Sequence, residues 1–236
     1  MKKIILTVPV YNEEKVLETA IIRLHNYMRE NIKNKWEILI ANNASTDKTK
    51  EIADNLTKKL SNVKVFHLTS KGRGNALKHA WMNSEADVYA YCDVDLATDI
   101  IHLKKLFNSV LEGNDIVTGS RYIKTSDTRR TLKRLVLSKG YIYLIKLFFK
   151  TKIIDFQCGF KAVNKKFVKE ILPKVENKEW FFDTESLLLA ENTPGFKIEE
   201  IPITWYERKD SKVRIIKIVY QYITNIIELK FRIRKR

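Results

Sequence analysis

The chain has 236 residues, 44% of them hydrophobic, which is enough for one large α/β domain and excludes a disordered or low-complexity protein. Lysine and arginine number 44 against 28 acidic residues, and the formal net charge of +16 favours a polyanionic partner such as nucleic acid, an anionic membrane or a phosphorylated ligand. Cys92 and Cys158 are the only cysteines, which excludes a disulfide framework and a four-cysteine metal site; we expect reduced thiols in a cytosolic compartment.

Strand and helix signals alternate through the first half of the sequence. Apolar runs predict strands at 4–8, 36–41, 63–68, 87–92 and 115–118, and helices are predicted at about 13–30, 45–59, 74–83 and 99–111. This alternation is typical of a mainly parallel sheet covered by helices on both faces. Ligands of such sheets bind beyond the carboxyl ends of the strands. We therefore expect the loops 9–14, 42–47, 70–75 and 93–99 to gather along one edge.

The second half of the sequence carries longer helical signals. Helices are predicted at 132–150, 165–172, 184–191 and 213–236, and strands at 158–163 and 197–206. Because no linker signal is present, we assign one domain to residues 1–212 and treat 213–236 as an appended basic amphipathic helix. No segment approaches the ~20 apolar residues of a membrane span, so we predict no transmembrane helix.

Two aspartates, Asp93 and Asp95, directly follow the strand at 87–92. Paired carboxylates suit Mg²⁺ or Mn²⁺, which would bridge to a diphosphate, although an acidic turn that closes a strand is a simpler alternative. The loop 71–75 adds two glycines, two cations and a helix N-terminus, a combination that favours an anion. The four loops in this order are more specific than any one of them.

The sequence resembles family-two inverting glycosyltransferases of the GT-A fold, and within them the dolichyl- or polyprenyl-phosphate sugar synthases. The resemblance extends to about residue 213 and rests on eight segments: 8–13, 42–47, 71–77, 93–95, 119–122, 155–161, 182–185 and 208–212. The segment 155–161 is closer to the dolichyl-phosphate glucose synthases than to the mannose synthases, which implies a UDP-sugar donor, with UDP-glucose first.

The resemblance also implies roles for individual residues. The nucleotide-sugar site takes Pro9, Tyr11, Glu13, Asn42, Lys71, Asp93, Val94 and Asp95, with the metal on Asp93 and Asp95. The acceptor phosphate takes Arg121, Arg134, Ser138, Arg208 and Lys212. Catalysis falls to Asp95 and the arginines Arg121, Arg134 and Arg208.

Two positions depart from the family pattern. Asn42 and Asn43 stand where relatives usually carry an aspartate, and Ala97 stands where some mannose synthases carry a glutamine metal ligand. The mode of base recognition therefore stays open, and water or donor oxygens have to complete the metal shell.

The chemistry that the resemblance implies needs no general base. A phosphate monoester is already anionic near neutral pH and can attack the anomeric carbon directly. The enzyme has to position two anions and neutralise the departing nucleoside diphosphate. Direct displacement inverts the anomeric centre, so an α-linked donor gives a β-linked product. Asp183 or Glu185 is expected to orient an active-site arginine.

Two helices suggest attachment to a membrane surface. On 132–150, three lysines (Lys139, Lys146 and Lys150) accompany an apolar face, and on 213–236 an apolar stripe is followed by a basic end. The apolar face comprises Tyr141, Ile142, Leu144, Ile145, Phe148 and Phe149, and the stripe comprises Ile215, Val219, Tyr222, Ile226 and Leu229. We predict a peripheral protein on the cytoplasmic face of an anionic membrane, although both helices could instead pack on the sheet.

Two further interpretations stay open at this point. A transferase for a soluble or cell-envelope glycan would share the donor half and differ in its acceptor. A basic nucleic-acid-binding module would explain the charge, but no recognition motif for DNA or RNA is present, so no nucleic-acid partner is predicted.

Overall fold

The computed structural model describes residues 1–207 and 215–234, without the side chains of 215–220. Arg208 and Lys212, both predicted acceptor residues, lie outside the described residues. The strands are β1 (Lys3–Val10), β2 (Lys35–Asn43), β3 (Val63–Leu68), β4 (Val88–Cys92), β5 (Ile116–Ser120), β6 (Asp127–Arg129), β7 (Phe160–Asn164), β8 (Ile198–Pro202) and β9 (Thr204–Tyr206). The helices are α1 (Leu17–Asn31), α2 (Thr49–Lys59), α3 (Arg73–Met82), α4 (Leu103–Leu111), α5 (Leu132–Phe148), α6 (Lys165–Glu170), α7 (Phe182–Glu191) and α8 (Ile215–Arg234).

Seven strands form the main sheet in the order β3-β2-β1-β4-β7-β5-β8. All are parallel except β7, which runs antiparallel to its neighbours β4 and β5. The predicted mainly parallel α/β sheet of the GT-A type is therefore confirmed.

Each face of the sheet has its own hydrophobic core. Successive side chains of a strand point to opposite faces, so Ile4 and Leu6 of β1 join one core while Ile5 joins the other. The first core also includes residues of α1, α2 and α4, and the second includes residues of α3, α5, α7 and α8. Because both faces are covered, the strands are continuously apolar, and this is the signal that made them visible in the sequence. Cys92 and Cys158 are both buried free thiols.

The strand predicted at 197–206 is divided in the structure. It breaks at the buried Ile203: β8 joins the main sheet beside β5, and β9 pairs in parallel with β6 as a separate two-stranded sheet. The prediction of one continuous strand was therefore wrong. The short, largely exposed β6 carries no apolar pattern, so its pairing depends on where β9 places its backbone.

Most of the apolar residues that the sequence assigned to a membrane pack against the domain; the side chains of Ile215 and Val219 lie outside the described residues. On α5 and the residue after it, Ile145 and Phe149 are buried, and Tyr141, Ile142, Leu144 and Phe148 are partly buried against the second core. On α8, Ile226 and Leu229 are buried and Tyr222 is partly buried there. The prediction was wrong for these residues, because burying apolar area against the neighbouring helices is favourable without any lipid.

A different row of apolar side chains remains exposed on α5 and α8. We name it the outer stripe; it consists of Leu132, Val136, Tyr143 and Leu147 on α5 and Ile223, Ile227 and Phe231 on α8. Tyr143 is 72% exposed and Phe231 is 61% exposed. Spacings of four or seven residues place the members of each helix on one face. None of the helices in 1–207 and 215–234 has the length and hydropathy needed to cross a membrane.

Candidate active site

The loops after β1 and β2 are fixed to each other at the carboxyl edge of the sheet. Asn12, whose φ is 54°, accepts a hydrogen bond from the Thr46 backbone N–H at 2.8 Å through Oδ1. The backbone N–H of Glu13 donates to Thr49 Oγ1 at 2.7 Å. These contacts bring Pro9, Tyr11 and Glu13 to the edge where the sequence predicted a nucleotide pocket.

The asparagines after β2 organise the loops around them. Asn42 is buried; its Nδ2 hydrogen-bonds His67 Nδ1 at 2.9 Å, and its Oδ1 accepts from the Ser45 N–H at 3.2 Å. Asn43 Oδ1 accepts from the Gly72 N–H at 2.8 Å. The side chain of Asn42 is thus engaged within the protein, and its predicted contact with the base or ribose stays a prediction.

Tyr11, in the loop after β1, contacts Lys71, in the loop after β3. Lys71 Nζ lies 4.3 Å from the centroid of the Tyr11 ring, a cation–π contact. The contact aligns one aromatic face and one cation at the predicted donor site, where a base and a phosphate need such partners.

Asp93 and Asp95 stand at the end of β4 in a tight turn. The Leu96 N–H donates to the Asp93 carbonyl at 3.1 Å, and Leu96 takes a positive φ of 50°. Asp93 is 42% exposed, and Asp95 Oδ1 accepts from the Ala97 N–H at 3.0 Å. Val94 is buried in the core, so its side chain does not line the cleft and only its backbone could meet the donor.

Gly159 makes the position of Asp93 possible. A Cβ built on Gly159 would lie 1.8 Å from Asp93 Oδ2, and the Gly159 carbonyl accepts from the Asp93 N–H at 3.1 Å. The carboxylate therefore lies directly against the backbone of the segment 155–159, which only a glycine allows. Local sequence signals did not single out Gly159; only its place in a segment of family resemblance marked it.

Negative charge accumulates where these loops meet. Burial raises the pKa of Glu13 above its ordinary value, and the charges of Asp95, Asp47 and Asp93 raise it further. Within the described part of the chain, no group of three or more acidic, histidine or cysteine ligands converges as a metal site. The two carboxylates of Asp93 and Asp95 nevertheless fit Mg²⁺ or Mn²⁺. These ions bind through one or two carboxylates and complete their coordination shell with water and phosphate oxygens.

Arg73 links the aspartate turn to the domain interior. Its NH2 group donates to Asp93 Oδ1 at 2.9 Å and its NH1 group to Asp183 Oδ2 at 2.7 Å, with 9% of the side chain exposed. The guanidinium also lies 5.0 Å from the ring centroids of Tyr91 and Trp180. The expected arginine partner of Asp183 is thus present, although the sequence analysis counted Arg73 only among the cations of the loop 71–75 and gave it no role of its own.

Asp183 is held as an anion by a second buried cation. Lys161 Nζ lies 3.2 Å from Asp183 Oδ1 and donates to the Cys158 carbonyl, and Tyr91 donates its hydroxyl proton to Asp183. Burial acts to raise the pKa of Asp183, but the charges of Lys161 and Arg73 outweigh it and hold the pKa below the ordinary 3.8. A carboxylate stabilised in this way orients its partners and is a poor proton acceptor.

Arg121 forms a two-point ion pair with a buried aspartate. Its Nε and NH2 donate to Asp155 Oδ2 and Oδ1, both at 2.7 Å, and its backbone N–H donates to Oδ2 at 2.9 Å. Asp155 is 1% exposed and Arg121 12%. Arg121 was predicted as a catalytic residue and a phosphate ligand; the structure adds an ion-pair partner, Asp155, that the sequence analysis missed.

Removing Arg121 is therefore expected to lower stability as well as activity. Arg121→Gln leaves the buried Asp155 without its cation, and we expect a loss of about 3–5 kcal/mol in the free energy of unfolding. Burial acts to raise the pKa of Asp155, but Arg121 outweighs it and holds the pKa below 3.8. The ion pair thus stabilises the fold above about pH 4, and its contribution is lost as the pH falls through that depressed pKa.

Urea unfolding followed by circular dichroism tests this expectation. The urea midpoint of Arg121→Gln should be lower than that of wild type at pH 7, and this difference should be smaller at pH 3. Equal midpoints at pH 7 would show that the ion pair contributes nothing to stability.

The other two predicted acceptor residues that the structure describes, Arg134 and Ser138, follow β6. Arg134 Nε pairs with Glu207 Oε1 at 2.8 Å, and Glu207 Oε2 accepts from the Thr131 N–H at the start of α5. Ser138 Oγ accepts from Arg130 NH2 at 2.9 Å. Arg130 was not predicted. Ser138 therefore lies beside an arginine, but a different one from the arginine that the sequence analysis paired with it.

Three comparisons with known proteins agree with this architecture. The sequence profile described as "Glycosyl transferase family 2" matches residues 6–172. A dolichyl-phosphate beta-glucosyltransferase, ALG5A, from Trichomonas vaginalis is 33% identical over 95% of this chain and 72% of its own length. Glycosyltransferase AglD from Haloferax volcanii is 34% identical over 90% of this chain, which spans only 34% of AglD.

The solved structures show the same fold. Glucosyl-3-phosphoglycerate synthase from Mycobacterium tuberculosis, in complex with Mn²⁺, UDP-glucose and phosphoglyceric acid, aligns with a TM-score of 0.71. The alignment covers 97% of this chain and 80% of that one at 14% identity. The family profile matches residues 6–172, and a relative at 33% identity aligns over 95% of this chain. Together with the shared fold, these matches lead to one conclusion: the chain belongs to glycosyl transferase family 2.

Proposed function

We propose that this enzyme transfers a sugar, with glucose from UDP-glucose as the first candidate, to the phosphate of dolichyl or polyprenyl phosphate. The observation that carries the proposal is the segment 155–159, which contacts both halves of the site. Asp155 binds Arg121 on the acceptor side, and Gly159 lies against Asp93 on the donor side. Only β7 separates β4 from β5, so the two sides lie about 10 Å apart, a distance that suits two substrates meeting in one cleft.

The names of the relatives support the acceptor and the donor. The protein from Trichomonas vaginalis is a dolichyl-phosphate beta-glucosyltransferase, and so are relatives from Saccharomyces cerevisiae and Dictyostelium discoideum. Glucosyl-3-phosphoglycerate synthase, which shares the fold, was crystallised with UDP-glucose and Mn²⁺. By analogy we assign a nucleotide-sugar donor, a lipid phosphate acceptor and a divalent cation to this chain.

The residues of the site suit displacement by an anion. Asp93 and Asp95 would hold Mg²⁺ or Mn²⁺, which would neutralise charge on the leaving diphosphate. Arg73 fixes Asp93 through a charge-assisted hydrogen bond and adds positive charge to the same side. The acceptor phosphate needs no base, and attack opposite the leaving group inverts the anomeric centre, giving a β-linked product from an α-linked donor.

The state of Asp183 argues against a hydroxyl acceptor on a soluble glycan. A hydroxyl group has to lose its proton during transfer, and efficient general bases have a pKa near the working pH. Asp183 is buried between Arg73 and Lys161, which hold its pKa low. We therefore favour a phosphate acceptor, which arrives already ionised.

A donor screen tests the proposal. The purified chain is incubated with Mg²⁺ or Mn²⁺, a short polyprenyl phosphate and each of UDP-glucose, UDP-N-acetylglucosamine and GDP-mannose. We expect a β-linked polyprenyl phosphate sugar from a UDP-sugar, and no product when polyprenol replaces its phosphate. Transfer to free sugars but not to the lipid phosphate would contradict the proposal and favour a transferase for a soluble or cell-envelope glycan.

We also propose that the outer stripe attaches the enzyme peripherally to an anionic membrane, on its cytoplasmic face. The apolar side chains are flanked by the exposed cations Lys133, Lys139, Lys146, Lys150 and Arg234. Helix α5 has no acidic residue. Exposed apolar residues with flanking lysines are the pattern of helices that lie in a membrane interface.

Flotation with vesicles tests the attachment. The double variant Leu147→Glu, Phe231→Glu places charge on both helices of the outer stripe, and we expect binding to phosphatidylserine-containing vesicles to fall at least tenfold. Ile22→Glu on α1, exposed outside the outer stripe, is the matched control and should bind like wild type. Equal binding by all three proteins would contradict the assignment.

A further inference from the structure

Among the described arginines on the acceptor side, Arg130 stands out because no described acidic residue pairs with it. Arg121 pairs with Asp155 and Arg134 with Glu207. Within 1–207 and 215–234, Arg130 makes no salt bridge, and its buried Nε has no hydrogen-bond acceptor. A partly buried cation without a counter-ion is unfavourable, so an anionic ligand would be stabilised beside it.

Two hydroxyl groups complete the surroundings of Arg130. NH1 donates to the Tyr122 hydroxyl at 2.6 Å, and NH2 donates to Ser138 Oγ at 2.9 Å. Each hydroxyl oxygen therefore accepts from the guanidinium and keeps its own proton for another acceptor. One cation with two O–H donors forms a cluster that suits the several oxygens of a phosphate group.

Trp205 joins this cluster to Arg121. The guanidinium carbon of Arg130 lies 5.3 Å from the centroid of the Trp205 ring, and that of Arg121 lies 5.5 Å from it. Two cations beside one ring give a local positive potential. Asp155 neutralises the charge of Arg121, so it offsets only that contribution. Unpaired positive charge is thus centred on Arg130.

We propose that Arg130, with the hydroxyls of Tyr122 and Ser138, binds the phosphate of the lipid acceptor, and that Arg121 and Trp205 position this cluster. Arg134 then acts indirectly: through Glu207, which accepts from the Thr131 N–H, it fixes the start of α5 and hence Ser138. This inference rests on the proposed function and names the residues that recognise its acceptor.

The decisive variant is Arg130→Gln, which removes the charge and keeps a polar, though shorter, side chain. We expect the KM for a short polyprenyl phosphate to rise by about tenfold to a hundredfold, the range of a lost charge-assisted hydrogen bond, while the KM for UDP-glucose stays unchanged. Arg130→Lys should recover part of the loss. The matched control is Arg129→Gln, because Arg129 is the exposed neighbour that lies over Tyr206, and its KM values should equal those of wild type.

Two smaller variants keep the test valid if Arg130→Gln folds poorly. Tyr122→Phe and Ser138→Ala each remove one hydroxyl, and each should raise the KM for the lipid phosphate severalfold without changing the melting temperature. In separate experiments, inorganic phosphate and 3-phosphoglycerate are tested as competitors of the lipid phosphate. If they compete with the lipid in wild type and lose that effect in Arg130→Gln, the cluster binds a phosphate group as such.

The outcomes separate the two proposals. Wild-type transfer to polyprenyl phosphate together with an unchanged lipid KM in Arg130→Gln, Tyr122→Phe and Ser138→Ala overturns the Arg130 assignment and leaves the proposed function standing. No transfer by wild type with any nucleotide sugar overturns both. A raised KM for UDP-glucose in Arg130→Gln would place Arg130 on the donor side and also overturn the assignment.

Discussion

Asp95→Ala is expected to reduce sugar transfer by about a thousandfold or more while leaving the fold intact. Asp95 supplies one of the two carboxylates that would hold the cation beside the diphosphate, and a bound metal contributes several kcal/mol of charge stabilisation in the transition state. The side chain lies in a partly exposed turn, where it accepts a hydrogen bond from the Ala97 N–H at 3.0 Å, so its removal leaves the buried core in place. Initial rates with UDP-glucose and polyprenyl phosphate measure the effect.

A matched control comes from the other end of the same strand. Asp87 precedes β4 and binds the Lys3 N–H at 2.8 Å, at the amino edge of the sheet and away from the cleft. Asp87→Ala should keep near-normal turnover, and both variants should give wild-type circular dichroism. Binding of Mn²⁺ in the presence of UDP, followed by calorimetry, should weaken in Asp95→Ala alone. Near-normal turnover in Asp95→Ala would remove the metal assignment.

Gly159→Ala is expected to cost at least about a hundredfold in transfer rate. The new methyl group would lie 1.8 Å from Asp93 Oδ2, so the carboxylate or the backbone has to move by about an ångström or more. A displacement of that size at a catalytic group can reduce the rate by about two orders of magnitude. The change also loosens the contact between Asp93 and Arg73, because the methyl group would displace the carboxylate whose Oδ1 accepts from Arg73 NH2.

Gly140→Ala is the control for adding a methyl group to a glycine. A Cβ at Gly140 meets no atom within 4 Å, and the residue lies within α5. Alanine is favoured over glycine in helices by up to about 1 kcal/mol, so we expect an unchanged rate and a slightly higher melting temperature. If Gly159→Ala retained full activity, the close approach of Asp93 to the 155–159 segment would not matter for catalysis.

The segment 155–159 links the proposed donor residues to the proposed acceptor residues. Asp155 holds Arg121, Gly159 admits Asp93, and the carbonyl of Cys158 accepts from Lys161, which binds Asp183. Asp183 in turn holds Arg73 on Asp93. A change in one member therefore displaces groups on both sides of the cleft. Variants within this network are expected to show non-additive effects on the rate, because contacting residues share their interaction energy.

The sequence by itself determined the fold and the convergence of the loops that carry the proposed donor residues. Strands such as β1 and β4 are continuous apolar runs, and helices between them predict a parallel sheet whose carboxyl ends share one edge. From that rule alone the loops after β1, β2 and β4 had to converge, and Asp93 and Asp95 had to lie among them. These conclusions depend on local periodicity and on chain order, both of which are visible in one dimension.

Only the tertiary structure decided which charges pair and which helix faces are buried. Arg121 and Asp155 are 34 residues apart, and Arg73 and Asp183 are 110 apart, so no local pattern links them. Helix α5 is apolar around most of its circumference, and its buried side was selected by contact with α7 and α8 rather than by periodicity. The charge of a side chain is set by its residue type, whereas its partner is set by the packing of distant segments.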